Sequence, residues 1–213
     1  ATNKDTSMTY KLTIPIPDED VLNLKVGDTV LLSGVMITGR DVVHKWLADT
    51  FINKTREPSG EDLEVYQAIK PILERGAIYH CGPVVAGLDT KAYRFVAAGP
   101  TTSTREEPYQ GDIMRHFNLK AVVGKGGMGA GTLKACHEVP AVYLHAIGGA
   151  ASLIAESVQR VLGVHKLDFG VPEAIWVIEV KDFPTVVTMD AHDSSLHDVV
   201  REKSRAVLEK LIA

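Results

Sequence analysis

The chain has 213 residues, of which 45% are hydrophobic and 23% are charged, a composition typical of a globular protein that buries a core. Its net charge of −4 provides no basic surface field, so nucleic acid is not expected as a partner. Two cysteines, Cys81 and Cys136, are too few for a disulfide framework, and neither belongs to a CxxC pair. The polar segment 1–10 lacks a signal-peptide core and no apolar run is long enough to span a membrane, so we expect a cytoplasmic location without membrane attachment.

The first half of the chain favours strands interrupted by one helix. Alternating or continuous apolar residues predict strands over 10–16, 29–33, 35–38, 77–80 and 93–97, and helical spacing predicts a helix over 40–47. The stretch 57–62, rich in Pro, Gly and charged residues, is predicted to be an exposed excursion.

The second half alternates between the two kinds of element. The pattern predicts helices over 109–118, 132–138, 150–162 and 196–211, with strands over 121–123, 141–145, 175–180 and 185–189. Strands that precede alternating strands and helices predict an α/β fold with a mixed sheet flanked by helices. We expect one domain over 1–213, with 1–9 as a flexible N-terminal extension.

A glycine-rich stretch, 124–131, lies between a predicted strand and a predicted helix. Backbone amides at such a turn, together with a helix N-terminus, attract an anion, and Lys125 adds a charge suited to a carboxylate. The stretch also satisfies GxGxxG, but the next strand ends at His145 without the acid that a dinucleotide site needs for the ribose. A nucleotide-dependent oxidoreductase therefore stays a minor alternative, beside a plain glycine turn.

Two further segments follow predicted strands and carry an arginine. In 99–105, hydroxyl residues precede Arg105, a set able to grip a carboxylate or simply to cap a helix. In 38–44, Arg40 lies at a strand-to-helix junction beside Asp41, which caps the helix or orients its neighbours. Because open α/β sheets bind ligands at the carboxyl ends of their strands, we expect Arg40, Arg105 and Lys125 to converge on a small dicarboxylate.

Other chemically capable residues have simpler interpretations. Asp190, His192 and Asp193 have a spacing compatible with a metal but typical of an exposed loop, and we expect no metal site. His145 is interpreted as a satisfied core histidine, while Trp46 and Trp176 are predicted core aromatics. Both cysteines are interpreted as structural thiols.

A series of short motifs occurs in one order over roughly 20–190 and resembles the β portion of class I fumarases and L-tartrate dehydratases, which are iron–sulfur hydro-lyases. The motifs are Ser33-Gly34, Thr38-Gly39-Arg40-Asp41 followed by His44, Cys81-Gly82-Pro83, Gly99-Pro100-Thr101-Thr102 followed by Arg105, Gly124-Lys125-Gly126-Gly127-Met128, Ile147-Gly148-Gly149-Ala150-Ala151 and Glu173-Ala174-Ile175-Trp176. The resemblance implies a swivelling β/β/α domain rather than a Rossmann fold. It also implies that a [4Fe–4S] cluster is carried by a separate α-type subunit and that this chain alone binds none.

The same resemblance implies roles for single residues. Arg40, Arg105 and Lys125 match binders of the substrate carboxylates, and Thr101 matches the residue proposed as the catalytic base. The supporting positions are Asp41, His44, Thr102, Gly126 and Gly127. The chain departs from the family at Glu106-Glu107-Pro108, where Met-Asp and a small polar residue are usual, and two acids beside Arg105 are expected to weaken or redirect its grip.

The expected function is therefore that of a β subunit of a hydro-lyase that interconverts fumarate and L-malate, a reaction of the tricarboxylic acid cycle. We expect activity only with the α-type partner, in a hetero-oligomer such as α2β2. The alternatives are L-tartrate dehydratase, hydration of mesaconate, and a non-catalytic anion-binding subunit.

Overall fold

The structure is a computed structural model in which residues 7–212 are described. The strands are β1 (Thr9–Thr13), β2 (Thr29–Thr38), β3 (Ala77–Tyr79), β4 (Val84–Ala86), β5 (Arg94–Ala97), β6 (Ala121–Gly124), β7 (Val142–His145), β8 (Val158–His165) and β9 (Ile175–Met189). The α-helices are α1 (Asp18–Asn23), α2 (Asp41–Leu47), α3 (Gly60–Leu73), α4 (Glu107–Phe117), α5 (Ala130–Glu138), α6 (Ala151–Ser157) and α7 (Leu196–Ile212). A π-helical turn continues α2 over Ala48–Ile52, and 3₁₀ turns occupy Ser103–Arg105 and Leu167–Phe169.

Seven strands form one mixed sheet in the order β1-β2-β3-β6-β7-β9-β8, and β4 and β5 form a separate hairpin. Strands β1, β2, β3, β6 and β7 run parallel to their neighbours, whereas β9 is antiparallel to β7, β8 and β2. Because β9 pairs with β2 over 177–186 and with β7 over 186–189, the strands β2, β3, β6, β7 and β9 close into a ring. The mixed α/β fold with flanking helices is thus confirmed.

Alternate side chains of the central strands enter two different cores. Ala77 and Tyr79 of β3 belong to the core inside the ring, while Ile78 packs outward against the helices. Val142 and Leu144 of β7 show the same alternation around Tyr143. Side chains of a strand point alternately to its two faces, so both faces of these parallel strands are buried. The inner face lines the core of the ring, and the helices cover the outer face. Trp176 lies in the inner core and Trp46 in the outer core, which confirms the prediction for both tryptophans.

Two pairs of predicted strands are single continuous strands. β2 runs through Gly34, where the register shifts and φ is +119°, so a bulge bends the strand without ending it. A Cβ at Gly34 would lie 2.9 Å from the carbonyl oxygen of Ile14, which explains why the position needs glycine. β9 likewise continues through Asp182, which adopts a φ of 48°.

The predicted helix over 150–162 is wrong in its second half. α6 ends at Ser157, and Val158 begins β8, which pairs with β9 over 175–180. The apolar spacing of this segment fits a helix locally, but the strand gains ladder hydrogen bonds with β9. Tertiary pairing therefore overrides the local pattern.

The stretch 57–62 is not an exposed excursion throughout, because it leads into α3 and buries Asp62 completely. The Asp62 carboxylate accepts from Trp46 Nε1 at 2.9 Å and pairs with Lys166 Nζ at 3.0 Å. Burial opposes ionisation, but hydrogen bonds from Ser59, Lys166 and Trp46 hold the pKa of Asp62 well below its usual range. This buried acid joins α3 to segments distant in sequence.

The expected flexible extension 1–9 falls largely on residues 1–6, which lie outside the described residues. Thr9 already belongs to β1, and the backbone N–H of Met8 donates to Asp28 Oδ1 at 2.9 Å. Among residues 7–212, no helix has both the length and the apolar content needed to cross a membrane.

Candidate active site

Chemically capable residues collect where the parallel strands β2, β3, β6 and β7 end, an edge called here the carboxyl edge. Arg40 and Asp41 follow β2, His80 and Cys81 follow β3, Lys125 follows β6, and His145 ends β7. The strands are neighbours in the sheet and share one direction, so the segments that follow them emerge side by side.

The segment after β5 lies across this edge and is held by backbone hydrogen bonds. Thr101 N donates to the His80 carbonyl at 2.7 Å, and Lys125 N donates to the Thr101 carbonyl at 3.2 Å. Ser103 N then donates to the Lys125 carbonyl at 3.1 Å. The predicted base Thr101 is therefore fixed between the ends of β3 and β6, directly beside the predicted binder Lys125.

Ser103 anchors the segment 101–103 to residues of the central sheet. Its fully buried hydroxyl lies 2.8 Å from His80 Nδ1 and accepts from the Tyr143 hydroxyl at 2.8 Å. A Cβ at Gly124 would collide with the Ser103 Oγ atom, so glycine at the end of β6 makes this approach possible. No motif in the sequence indicates this anchor.

Two buried histidines continue the polar network toward Arg40. His44 Nε2 and His80 Nε2 each lie 2.9 Å from Gln110 Oε1, and His44 Nδ1 lies 2.8 Å from the Arg40 carbonyl. Burial lowers the pKa of His44 and, more strongly, that of His80, which favours the neutral form of both rings. His44, predicted as a supporting residue, thus positions the backbone of Arg40.

Arg40 itself is engaged by the acid of the motif 173–176, to which the sequence gave no role. Its Nη1 atom donates to Glu173 Oε1 at 2.8 Å, and each side chain is 19% exposed. A Cβ at Gly82 would lie 2.8 Å from the same Nη1 atom, so Gly82 leaves room for the guanidinium. Burial raises the pKa of Glu173, and the Arg40 charge opposes this rise.

The anion-attracting end of α5 is occupied by a side chain of the protein. Glu107 Oε2 accepts from Gly129 N at 2.7 Å and from the Thr132 hydroxyl at 2.7 Å, while Oε1 accepts from Gly131 N at 3.0 Å. The expectation that this helix N-terminus attracts an external anion is wrong, because Glu107 already satisfies it. The same contact removes a phosphate position that a dinucleotide would need.

The adjacent acid, Glu106, points elsewhere. Its side chain is 1% exposed, and its Oε2 atom has no hydrogen-bond partner among the described residues. Burial raises the pKa of Glu106 to about 7; the Asp41 charge adds to the rise, and the Arg105 and Arg40 charges oppose it. Of the two acids that were expected beside Arg105, only Glu106 faces the arginines.

Buried polar atoms without a partner concentrate at this edge. Within residues 7–212 they are Arg40 Nε, Thr101 Oγ1, Glu106 Oε2, Gln110 Nε2, His145 Nδ1 and Glu173 Oε2. Unsatisfied buried groups are costly in a folded protein and mark places where a ligand, a water molecule or a partner completes the structure. Their grouping makes the carboxyl edge the candidate active site.

The remaining predicted residues surround the same edge. Arg105 is exposed at the end of the 3₁₀ turn, and Lys125 is half-buried; neither forms a salt bridge with another described residue. Thr102 is exposed and pairs with Lys125 through the backbone. Gly126 and Gly127 have φ values of +81° and +77°, and the His197 ring packs against Gly127.

His145 was expected to be a satisfied core histidine, and this expectation is wrong. It is half-buried, and its Nδ1 atom lacks a partner within the described chain. Burial lowers the pKa of His145 and also that of His197, whose ring centroid lies 6.3 Å away. The predicted strand over 141–145 does end at His145, but its apolar residues favoured a buried position for the ring.

The two cysteines and the acidic loop 190–194 have structural roles. Cys81 and Cys136 lie in different cores, and burial raises the pKa of Cys81 strongly and that of Cys136 to about 12. Asp190 accepts from the backbone N–H groups of Val26, His192 and Ser194, so it organises a turn. Over residues 7–212, no group of three His, Cys, Asp or Glu side chains is placed to hold a metal ion.

The fold and this edge define a class: an α/β domain in which Arg40 and Lys125 follow parallel strands and Arg105 follows the hairpin strand β5. At the same edge, the Thr101 hydroxyl has no hydrogen-bond partner within residues 7–212. A family sequence model described as Fumarase C-terminus matches residues 1–200. The chain belongs to this family.

Similar proteins span different lengths relative to this chain. A Geobacillus stearothermophilus protein, provisionally named as a fumarate hydratase class I, is 48% identical over 200 residues, which cover 94% of this chain but 35% of that protein. The L(+)-tartrate dehydratase subunit beta of Escherichia coli strain K12 is 36% identical over 186 residues, 87% of this chain and 85% of that subunit. A Methanocaldococcus jannaschii protein, provisionally named as the same subunit, is 37% identical over 196 residues, 91% of this chain and 94% of that protein. The chain therefore spans about a third of the Geobacillus relative and most of each subunit relative.

Proposed function

We propose that this chain is the β subunit of a [4Fe–4S]-dependent hydro-lyase that interconverts fumarate and L-malate, and that it is active only with a cluster-bearing α-type subunit. The observation that carries the proposal is the position of Thr101. Its Oγ1 atom has no hydrogen-bond partner in the described part of the chain, and the backbone holds it between His80 and Lys125, at an edge that also bears Arg40 and Arg105. Such a set of cations with one free hydroxyl suits a dicarboxylate that exchanges a proton at carbon.

The three cations bind the two carboxylates of the substrate. Arginine offers a planar fork of donors to a carboxylate, and Lys125 adds a compact charge beside Thr101. Charge-assisted hydrogen bonds of this kind contribute about 1.5–3 kcal/mol each. The fixed backbone of 101–103 orients the substrate relative to Thr101, which lowers the entropic cost of reaching the transition state.

Thr101 handles the proton at the substrate carbon. A threonine hydroxyl is a poor base at its ordinary acidity, so a carboxylate must accept the hydroxyl proton as Oγ1 takes the proton from carbon. We place this carboxylate on the α-type partner, which covers the carboxyl edge. In the hydration direction the same groups return the proton to carbon.

The residues of this chain do not fit a [4Fe–4S] cluster. A cluster of this type is held by cysteine thiolates, but Cys81 and Cys136 are buried in separate cores as high-pKa thiols. We therefore assign the cluster to the partner chain, where it supplies a Lewis acid for the substrate hydroxyl. The names of the two subunit relatives, which are beta subunits, support a separate partner. The swivelling β/β/α arrangement and an α2β2 assembly are part of the same proposal.

L-tartrate dehydratase is the second candidate, because the proteins similar to this chain over most of their own length carry that name. The experiment is to purify this chain with its α-type partner, reconstitute the cluster anaerobically, and measure kcat/KM for L-malate, fumarate, L-tartrate and mesaconate. The proposal predicts the highest kcat/KM for L-malate and fumarate. A preference for L-tartrate would assign the alternative, and turnover of none of the four diacids would reject the hydro-lyase function.

A further inference from the structure

Glu106 occupies a position that neither the fold nor the proposed mechanism explains. It follows Arg105 directly and precedes α4, and the residue is only 1% exposed. No residue in the range 7–212 provides a hydrogen-bond partner for its Oε2 atom. A buried carboxyl oxygen without a hydrogen bond destabilises a folded protein. Its neighbour Glu107, in contrast, makes four hydrogen bonds to the start of α5.

Charged groups from several elements face Glu106. Arg40 and Asp41 face it from the start of α2, Arg105 from its own turn, and Tyr143 from β7. Arg40 in turn pairs with Glu173, which precedes β9. This charged cluster, defined as Arg40, Asp41, Arg105, Glu106 and Glu173, holds two guanidiniums and three carboxyl groups.

The charge balance of this cluster decides whether it can hold a dicarboxylate. With all three carboxyls ionised, the five residues carry a net charge of −1, and Lys125 brings the edge to zero. With Glu106 neutral, the five residues carry no net charge, and Lys125 gives the edge a charge of +1, which attracts a dianion more strongly. Burial, which raises the pKa of Glu106 to about 7, and the nearby Asp41 charge favour the neutral acid below that pH.

We propose that Glu106 is a positioning residue that sets the charge of the substrate clamp. As the neutral acid it leaves Arg40 and Arg105 available to the substrate carboxylates. As the carboxylate it competes with the substrate for both guanidiniums. This inference rests on the proposed dicarboxylate function and adds pH-dependent affinity to it.

The first measurement is the KM of the reconstituted enzyme for L-malate between pH 6 and pH 8. If only the form with neutral Glu106 binds substrate, the competent fraction falls about tenfold over this range, and KM rises about tenfold relative to a variant that cannot ionise. Glu106→Gln keeps the shape of the neutral acid, and Glu106→Met offers an apolar side chain of similar length. Glu138→Gln, at the exposed end of α5, is the control and should keep the wild-type pH profile.

The second measurement follows thermal unfolding of the full chain with pH and needs no activity. The folded-state pKa of Glu106 is raised above its unfolded value, so its stabilising contribution is complete below pH of about 4.3 and is lost as pH rises through about 7. The wild-type unfolding midpoint should therefore fall relative to that of Glu106→Gln between pH 5 and pH 8.

The outcomes separate this inference from the proposed function. A KM ratio of wild type to Glu106→Gln that grows with pH, together with the diverging midpoints, supports the role of Glu106. Parallel KM profiles in active enzymes overturn it and leave the hydro-lyase function intact. If wild-type enzyme turns over none of the diacids, the proposed function fails and the inference with it, even where the unfolding midpoints show Glu106 titrating.

Discussion

Glu107 accepts a hydrogen bond from the backbone N–H of Gly129 at 2.7 Å, and through this contact it closes the N-terminus of α5. Three further hydrogen bonds, from Gly131, Thr132 N and the Thr132 hydroxyl, reach the same carboxylate. The glycine-rich stretch therefore holds an anion, but the anion is a side chain. This leaves Lys125 and the turn before α5 for the proposed substrate.

Replacing Glu107 with Ala should destabilise the protein. The change removes a carboxylate from a helix N-terminus and leaves backbone N–H groups unsatisfied, so the free energy of unfolding should fall by about 1–2 kcal/mol. Denaturant unfolding measures the change. Glu138→Ala, at the exposed end of the same helix, serves as the control and should shift stability by less than about 0.5 kcal/mol. Equal changes in the free energy of unfolding for the two variants would mean that the hydrogen bonds of Glu107 to α5 do not stabilise the protein.

Lys125→Ala should weaken both substrate binding and catalysis. The variant loses one charge-assisted contact, worth about 1.5–3 kcal/mol, so kcat/KM should fall about tenfold to a hundredfold, in part through a higher KM. Steady-state kinetics of the reconstituted enzyme provide the measurement. Lys134→Ala removes an exposed lysine from α5 and should leave kcat/KM unchanged. Similar kinetics for Lys125→Ala and wild type would remove Lys125 from the clamp.

Thr101→Ala should affect the chemical step alone. A proton-transfer group contributes about 10² or more to kcat, while KM should change little because the cations still hold the substrate. Thr101→Ser keeps a hydroxyl and should retain a larger share of kcat. Thr104→Ala, in the same segment but exposed, is the matched control. If Thr101→Ala keeps near-wild-type kcat, the base lies on the partner chain.

Sequence patterns predicted those parts of the fold that local hydrophobic spacing determines. The buried strands β6 and β7 and the helices α4 and α5 follow from such spacing, and the edge at which Arg40 and Lys125 lie follows from the parallel strands. β8 was missed because Val158 joins a strand only through β9, a partner that no local window contains.

The missed parts of the site also depend on distant partners. Glu107 caps a helix that begins beyond β6, and Glu173 pairs with Arg40 from the far end of the chain. Neither residue type signals its partner in the sequence. The glycine at 124 was identified as part of a ligand loop, but its additional role is to admit Ser103. Close packing of this kind follows from the three-dimensional structure alone.

The most direct test of the account mixes this chain with its cluster-bearing partner and measures L-malate dehydration as the ratio of the two is varied. Neither chain alone should turn over substrate, and activity should rise to saturation near a ratio of one to one. The double variant Arg40→Ala/Arg105→Ala should still bind the partner in a pull-down but restore less than about a hundredth of the activity, since two charge-assisted contacts are lost. Turnover by either chain alone, or full activity with the double variant, would contradict the claim that this chain provides the substrate clamp.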